Sequence, residues 1–349
     1  MNKLLFSNQN DCKTEPAING QGFKFSNAFS TTDIAVNDAV AVSQLTALIS
    51  SEVFRVTNIV REDLGKGKYH NEANLFNDQA SIKVEWNDNL FSPKIYVGQI
   101  VSPKFGSEAS CINGRINIQK LHTYVRPNAK VNLFNLIPHA WVKDRELVKR
   151  GSVLMDELSD AHRLLFNAIF LDHNRFERFC KQPSSMIGHH SEQSGNFRHT
   201  VEVAEEMRKQ CKGRDFTNID LGILSALLHD AGKADEYIMN DKGGWCMTER
   251  GKLLGHKVTV VEWIAAVVAK WDIALPENHY VGLLHIFTSA ANAPEYLGMR
   301  EPALHESFLL SLCDRLSGRD DLIKQTKSDV GGFGRSHRHL KAPVFTLKG

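Results

Sequence analysis

Apolar and polar residues alternate along five short segments in the first part of the chain. These segments are rich in β-branched and aromatic residues, and clusters of Gly, Asn, Asp, Ser and Pro separate them. Alternation with a period of two, interrupted by turn residues, predicts five antiparallel strands. Five strands in so short a stretch suit a small closed barrel. The predicted strands are 51–60, 72–77, 80–86, 94–105 and 114–125.

After Pro127 the pattern becomes helical. Over residues 152–181 apolar side chains recur three and four positions apart, which predicts about seven continuous turns. Gly and Pro residues mark the later breaks. The second half of the chain is therefore predicted to be all-helical. The further predicted helices are 200–211, 219–230, 252–271, 277–292 and 303–318.

These patterns predict a multidomain β + α protein in which a five-stranded β-barrel precedes a helical bundle. The first 40 residues are polar and mixed, with one strand expected near "GFKFSNAF". The last 26 residues carry six Lys/Arg and one acid, so they are expected to be solvated or to contact a polyanion. The predicted parts are an N-terminal extension (1–40), a barrel domain (41–128), a linker (129–151), a helical domain (152–323) and a basic C-terminal tail (324–349).

Composition indicates the cellular compartment in which the protein is expected, but it does not identify a binding partner. Of the 349 residues 42% are hydrophobic and 23% charged, as in ordinary soluble proteins, and a net charge of +2 favours no partner. The six cysteines form no CxxC pair, which predicts neither a disulfide framework nor a cysteine zinc site and fits a reducing compartment. A signal peptide and an apolar run of membrane-spanning length are both lacking. We therefore expect a cytoplasmic protein with no membrane partner.

Candidate metal ligands recur through the helical half. "LLHDAGK" (227–233) ends an apolar run with a His-Asp pair, and neighbouring candidates lie 26 to 30 residues apart, about one helix plus a loop. A lone His in an apolar run is more often a core residue, but a compact bundle could bring an ordered series together. Imidazole and carboxylate ligands suit Mn²⁺, Fe²⁺, Zn²⁺ or Ni²⁺. The series is His199, His229, Asp230, His256, His285 and Asp314.

Asp314 lies in the apolar stretch "SLCDRL". It could be a surface acid paired with Arg315 or Arg319. Burying its carboxylate would instead be costly without a cation or a good hydrogen-bond partner. This contrast makes Asp314 a sensitive test of the metal hypothesis.

The order His199, His229-Asp230, Asp314 resembles the signature of the HD-domain metal-dependent phosphohydrolase superfamily. Four blocks are similar to those of bacterial 3′–5′ exoribonucleases of the YhaM type, in which an OB-fold barrel precedes the HD domain. The β-rich segment has a similar layout to that barrel, so the resemblance covers most of residues 50–320. The blocks are "HHSEQSGNFRHT" (189–200), "LLHDAGKADEY" (227–237), "TERGKLLGHKV" (248–258) and "LHESFLLSLCDRL" (304–316).

The resemblance implies a metal centre of one or two ions. His199, His229, Asp230 and Asp314 would hold one ion, and His256 would belong to a second ion bridged by Asp230. Mn²⁺ is the first expectation, with Mg²⁺, Fe²⁺, Zn²⁺, Ni²⁺ and Co²⁺ as alternatives. Such an ion neutralises a phosphate oxygen and lowers the pKa of a bound water.

Catalytic roles are implied for three residues. Asp230 would orient the nucleophile, and Lys233 would offset the charge that develops on the phosphate oxygens. Lys233 could equally be a cation at a helix C-terminus. The leaving group would take its proton from His190 or from a metal-bound water, and both alternatives stay open.

One segment departs from the family pattern. Where the family commonly reads "SHHG", this chain has Ser289, Ala290, Ala291 and Asn292. Alanine cannot ligate, so the second ion would lose a ligand. His285 lies five residues before Ala290, which on a helix is a rotation of roughly 140°, and cannot simply replace it. The protein would use one ion, bind a second weakly, or be catalytically weakened.

The barrel is expected to hold single-stranded nucleic acid. Residues 41–130 contain eleven Lys/Arg and eight acids, and OB folds bind single strands through cations and aromatic stacking. Tyr96 and Phe105 are further aromatics beside strands, although each single aromatic is more often a core residue. The candidate contacts are Lys66, Lys68, Tyr69 and Trp86.

The expected function is a metal-dependent phosphodiesterase that removes nucleotides from single-stranded RNA or DNA. The 3′–5′ polarity rests on the resemblance alone. One alternative is an HD-type hydrolase of a small nucleotide or cyclic dinucleotide, which would need a closed pocket instead of an open groove. Another is a nucleic-acid-binding module of a mobile element with a weakened HD site, which would bind single strands without hydrolysis in Mn²⁺.

Overall fold

The chain forms a mixed β + α fold in which a curled sheet precedes a set of packed helices. The computed structural model describes residues 29–30, 52–106 and 110–347. The strand expected near residues 22–29 lies mostly outside the described residues, and only its last residue contributes, to β1. Cys12 also lies outside them, and the five cysteines that are described are free thiols.

The strands form one main sheet and two short hairpins. The main sheet has the order β6-β7-β4-β3-β2-β5-β8, with β1 paired to β4. The strands are β1 Phe29–Ser30, β2 Phe54–Gly65, β3 Lys68–Phe76, β4 Ala80–Asn89, β5 Ile100–Lys104, β6 Cys111–Ile112, β7 Arg115–Asn117, β8 Lys120–Thr123, β9 Tyr237–Met239, β10 Trp245–Met247, β11 Gly332–Phe333 and β12 Phe345–Thr346.

The predicted barrel is confirmed in part. Strands β2, β3 and β4 form the expected antiparallel meander. The segment predicted at 94–105 is shorter as a strand, because a turn fixed by the Gln99 amide N–H donating to the Tyr96 carbonyl at 3.2 Å precedes β5. The segment predicted at 114–125 divides into β7 and β8, and β7 runs parallel to β4. Within the described residues β6 and β8 share no ladder, so the sheet is a half-barrel.

The inner face of the half-barrel carries its own apolar core. Alternate residues of β4 are buried, as the period-two pattern predicts for a strand with one buried face. The core residues are Phe54, Val56, Ala73, Leu75, Ala80, Ile82, Val84, Trp86, Val101, Ile116, Ile118 and Leu121.

The linker predicted at 129–151 is instead part of the helical core. Leu133–Leu136 forms a 3₁₀ turn in which Phe134 is fully buried, and Trp141 and Val142 are buried after it. The first α-helix already begins at Arg145. The apolar residues of this segment follow no single period, so neither strand nor helix spacing predicts that tertiary contacts bury them.

The helices follow the predicted order, with one correction. They are α1 Arg145–Glu157, α2 Asp160–Ile169, α3 His173–Lys181, α4 Gly195–Lys212, α5 Ile219–Leu228, α6 Lys233–Glu236, α7 Glu249–Leu253, α8 Gly255–Trp271, α9 Glu277–Thr288 and α10 His305–Thr326. The continuous helix predicted at 152–181 is wrong, because that stretch is divided among α1, α2 and α3. Asp172 caps α3 by accepting hydrogen bonds from the Asn174 and Arg175 amides, and such a cap favours a new helix start.

Helices α4 and α5 lie at the centre of the helical part. Every residue of α5 from Leu221 to Leu228 is buried, and α4 packs against both α5 and α10. A helix that is apolar on all sides is expected in a core. These helices can therefore present ligands from the protein interior.

Arg55 joins the half-barrel to the helical part. Its guanidinium is 1% exposed, donates from Nε to the Leu136 carbonyl at 2.8 Å and from Nη1 to the Gly98 carbonyl at 2.7 Å. It also stacks over the Trp141 and Phe176 rings. Burial lowers the pKa of Arg55 to about 10, so the side chain stays charged at neutral pH.

The segment predicted as a basic tail is folded over its described part. Strands β11 and β12 pair as a short hairpin, Leu340 is buried, and the Arg335 amide donates to the Thr326 carbonyl at 2.8 Å. Across the described residues, none of the helices combines the length and the apolar character needed to cross a bilayer.

Candidate metal centre

Three helices deliver three ligand atoms to one point. His199 comes from α4, His229 follows the end of α5, and Asp314 lies in α10. The His199 Nε2 atom is 3.0 Å from Asp314 Oδ1 and 3.3 Å from His229 Nε2. One ligand atom from each residue lies within 4.8 Å of the others, so this group could hold a metal ion.

The hydrogen bonds behind the two imidazoles fix their orientation. His229 Nδ1 is 2.7 Å from the Ala226 carbonyl, which can only accept, so Nδ1 carries a proton. His199 Nδ1 is 3.0 Å from Ser317 Oγ, and the Ser317 hydroxyl donates to Glu202 Oε2 at 2.8 Å. Ser317 Oγ must then accept from His199. In the neutral rings, both Nε2 lone pairs consequently face each other and the Asp314 carboxylate.

A divalent cation fits this arrangement. Two imidazole lone pairs and a carboxylate oxygen repel one another unless a cation or a proton lies between them. Burial lowers the pKa of His229, which favours its neutral, ligating form. Nitrogen and oxygen donors of this kind suit Mn²⁺, Fe²⁺, Zn²⁺ and related ions.

Asp230 lies beside these ligands and is held as a carboxylate. Its Oδ2 atom is 3.6 Å from His199 Nε2 and 3.5 Å from His229 Nε2. Burial by itself raises the pKa of Asp230, but Lys233 at 2.6 Å and the surrounding histidines hold that pKa well below its ordinary value. Lys233 Nζ also lies 3.3 Å from Ser184 Oγ. Lys233 therefore places a positive charge directly beside the Asp230 carboxylate.

The second oxygen of Asp230 faces another histidine. His256 Nε2 is 3.4 Å from Asp230 Oδ1, while His256 Nδ1 is 2.9 Å from Glu236 Oε2. A proton on Nδ1 shared with Glu236 leaves the Nε2 lone pair directed at Asp230. This is the arrangement that a bridging aspartate between two ion sites would need.

Gly232 allows His256 to approach so closely. A Cβ atom built on Gly232 would lie 2.2 Å from the His256 carbonyl oxygen. Only glycine therefore fits where the turn after Asp230 meets the start of α8. The "HDAGK" motif thus encodes a backbone contact as well as ligands.

Ala290 and Ala291, which stand where the sequence resemblance leads one to expect histidines, cannot act as ligands. Ala290 follows α9, and its amide donates to the Arg300 carbonyl at 3.1 Å. His285 Nε2 accepts from the Ala303 amide at 2.9 Å, so it is not a ligand here. A second ion would rely on Asp230 and His256.

The prediction for His190 needs correction. The ring is 1% exposed, with Nε2 at 3.3 Å from both Ser317 Oγ and Glu202 Oε2. His190 thus contacts Ser317, which is the hydrogen-bond partner of His199 Nδ1. At this depth its ring cannot reach a leaving group. Burial alone lowers the pKa of His190, but the nearby carboxylates of Glu192 and Glu202 raise it to about 9.

His189 is the histidine that borders the centre. Its ring centroid is 5.0 Å from that of His199, and its Nε2 is 3.4 Å from Ser184 Oγ. Burial, with the charges of His199 and Lys233, lowers the pKa of His189 to about 4, so the ring is neutral near pH 7. Both histidines stood in the quoted "HHSEQ" block, and only their packing distinguishes them.

Several supporting residues were missed from the sequence. Ser317 lies three residues after Asp314, and Glu202 lies three residues after His199, so each shares a helix face with a ligand. That spacing was a usable signal. Glu236 and Ser184 offered no such signal, because they reach the centre through turns.

The predicted nucleic-acid contacts have different surroundings. Lys66 and Lys68 are exposed at the β2–β3 hairpin, where Lys66 has a φ of 53°. Tyr69 is half-buried, with Arg61 stacked 3.9 Å from its ring centroid. Trp86 is only 4% exposed within the sheet core, so its prediction as a stacking residue is corrected. Its place in an alternating strand explains this, since the inward face of β4 is the core face.

A second group with metal-ligand atoms lies on the sheet surface, at His70, Glu72 and Glu85. Two of its members, His70 and Glu72, already have partners. Arg115 pairs with Glu72 at 3.1 Å, and Asn87 Oδ1 lies 3.0 Å from His70 Nδ1. Exposed cross-strand pairs of this kind are ordinary surface interactions.

Comparison of the chain with family models, curated proteins and solved structures gives no match at all. The HD-domain resemblance therefore stays a prediction from the sequence blocks, and the site must be interpreted from its own geometry.

Proposed function

We propose that the protein is a metal-dependent phosphodiesterase acting on single-stranded RNA or DNA, built from an OB-like half-barrel and an HD-type helical bundle. The observation that carries this proposal is the convergence of His199, His229 and Asp314, with Asp230 beside them, from helices far apart in the chain. The 3′–5′ polarity rests on the resemblance of the sequence blocks.

The centre has the two features that hydrolysis of a phosphodiester requires. A divalent ion held by His199, His229, Asp230 and Asp314 would supply Lewis acidity and lower the pKa of a water molecule. The side chains of His256 and Asp314 are 28% and 45% exposed, so solvent and substrate can approach from this side. Deeply buried ligands with an open edge are typical of catalytic sites.

The chain's own residues would carry the remaining steps. Lys233, next to Asp230, would offset negative charge that develops on the phosphate oxygens. His189 borders the ring of His199 and is neutral near pH 7, so it would contact the substrate without adding charge. His190, Ser317 and Glu202 would hold the His199 ring in place as positioning residues.

The test compares two matched substitutions in α10. Asp314→Asn removes a ligand, whereas Asp320→Asn makes the same chemical change at an exposed position six residues on. We expect Asp314→Asn to weaken Mn²⁺ binding in calorimetry more than about a hundredfold, since loss of even a supporting residue costs 10–100-fold. Hydrolysis of bis(p-nitrophenyl) phosphate and of end-labelled single strands should fall with it, and Asp320→Asn should match wild type.

Three results would contradict the proposal. Unchanged Mn²⁺ affinity in both Asp314→Asn and Asp230→Ala would show that these residues do not form a metal centre. Intact metal binding with no cleavage of RNA, DNA or aryl phosphodiester would instead favour a binding module. Turnover of cyclic dinucleotides without turnover of strands would favour the small-substrate alternative.

A further inference from the structure

Residues 94–97 line a cavity together with residues of β2 and β3. The cavity has a volume of about 330 Å³ and is partly open to solvent. Its apolar walls are Ile59, Ile95 and Val97. This volume falls in the range of small-ligand sites, which combine apolar walls with a few polar groups.

The polar groups of the cavity suit a nucleobase and a phosphate. Tyr96 is 51% exposed, and Lys94 Nζ lies 5.9 Å from its ring centroid. Among the described residues Lys94 makes no ion pair. Asn71 is 2% exposed, and its amide nitrogen donates only a long 3.5 Å bond to the Trp86 carbonyl. An amide offers both donors and an acceptor to the edge of a base.

Arg61 also lines the cavity, but its charge is already neutralised. Its Nη2 is 3.1 Å from Asp88 Oδ1, and the guanidinium covers one face of Tyr69. Tyr69 therefore has little free ring surface for stacking. Among the residues that line the cavity, Tyr96 is the exposed aromatic and Lys94 is the exposed cation.

The segment that carries Tyr96 is held firmly at its base. Gly98 has a φ of +91°, its amide donates to the Val56 carbonyl at 2.7 Å, and its carbonyl accepts from Arg55. A Cβ at Gly98 would lie 2.5 Å from His173 Cδ2 in α3. The cavity wall is thus fixed against the helical part, which reduces the ordering needed to bind a ligand.

We propose that this cavity binds one unstacked base of a single-stranded nucleic acid, with Tyr96 stacking on the base and Lys94 contacting the adjoining phosphate. The proposal rests on the proposed function for the kind of substrate, and it names where the half-barrel holds that substrate. Stacking on an exposed aromatic beside a cation is how proteins hold single strands.

The experiment measures binding without hydrolysis. Fluorescence anisotropy of a labelled 12-nucleotide DNA strand, and of an abasic strand of equal length, is recorded in EDTA at several salt concentrations. Tyr96→Ala should weaken binding of the normal strand about 5- to 140-fold, the range for one lost base–aromatic stack, and leave the abasic strand unchanged. Lys94→Ala should weaken both strands and reduce the salt slope by about 1.

Matched controls separate the cavity from general surface effects. Phe91→Ala removes an exposed ring of the same loop that does not line the cavity, and Lys120→Ala removes an exposed lysine of β8. Both should bind like wild type. Equal losses in Phe91→Ala and Tyr96→Ala, or a Tyr96→Ala loss that also affects the abasic strand, would overturn the proposal.

The outcome is distinct from that of the catalytic proposal. Hydrolysis of bis(p-nitrophenyl) phosphate in Mn²⁺ is measured on wild type and on Phe91→Ala, and both should show it. If hydrolysis persists while no variant changes strand binding, the cavity assignment fails and the enzyme proposal stands. If Tyr96→Ala selectively loses the normal strand while wild type never hydrolyses, the cavity stands and the enzyme proposal fails.

Discussion

At the scale of single residues, the hydrogen bond at one nitrogen of a candidate histidine ligand decides whether its other nitrogen can bind a cation. His199 and His190 are both buried histidines, and both contact the Ser317 hydroxyl oxygen. Hydrogen bonding to Ser317 leaves the His199 Nε2 lone pair for a cation, whereas Glu202 keeps His190 protonated. Burial alone raises the pKa of Glu202, but bonds from His190 and Ser317 lower it to about 2.

The His190–Glu202 pair predicts a specific pH dependence of stability. The folded-state pKa of His190, about 9, lies above the ordinary value near 6.5, so its contribution is full below pH 6.5 and is lost as pH rises through 9. Glu202 is ionised throughout that window. We expect the coupling energy in a His190→Gln/Glu202→Gln cycle, measured by urea unfolding in EDTA, to be on the order of 2 kcal/mol at pH 6 and much smaller above pH 9.5. A coupling energy independent of pH would refute it.

At the scale of elements, helix location followed from periodicity but helix ends followed from side-chain capping. The stretch 152–181 has an unbroken apolar pattern, and the structure still interrupts it twice. Residues such as Asp172 compete locally for backbone amides, and a window of apolar spacing does not register that competition. Likewise β7 pairs in parallel with β4. The alternation of residues within a strand does not specify how the chain passes from one strand to the next, so the sequence pattern could not predict this direction.

The contact between α6 and α8 gives an element-scale prediction. Gly232→Ala should destabilise the fold by about 1–3 kcal/mol, because the added methyl meets the His256 backbone and cannot be accommodated by a side-chain rotation. Gly213→Ala is the matched control, since a Cβ there meets nothing within 4 Å and φ is −93°.

Urea unfolding followed by circular dichroism measures both variants. Gly213→Ala should stay within about 0.5 kcal/mol of wild type. If Gly232→Ala left the free energy of unfolding as little changed as Gly213→Ala does, the close approach of α8 to the "HDAGK" turn would be wrong.

At the scale of the whole molecule, one buried cation connects the two parts. Arg55 belongs to β2, yet its hydrogen bonds reach the 3₁₀ turn and Gly98, and its plane stacks on rings of the helical core. Lysine would keep the charge but not the planar set of donors. The half-barrel is therefore expected to depend on this residue for its position against the helices.

Arg55→Lys should lower the free energy of unfolding by about 2–4 kcal/mol, since two buried carbonyls lose their partner. Arg115→Lys, at an exposed pair with Glu72, should change it by less than about 0.5 kcal/mol. Hydrogen exchange should rise in β2 and β5 while α4 and α5 keep their protection. Uniform loss of protection across the chain would mean that Arg55 does not join two separable parts.

The sequence by itself determined the β-then-α order and most of the helices, and it named His199, His229, Asp230 and Asp314 as candidate metal ligands, because periodicity is local and these residues stand in recognisable blocks. It could not decide which of His189 and His190 borders the centre, that Trp86 is a core residue, or that 129–151 is buried. Those outcomes depend on which side chains meet across distant elements. Tertiary structure alone also formed the cavity beside Tyr96, because its walls come from three separate segments of the chain.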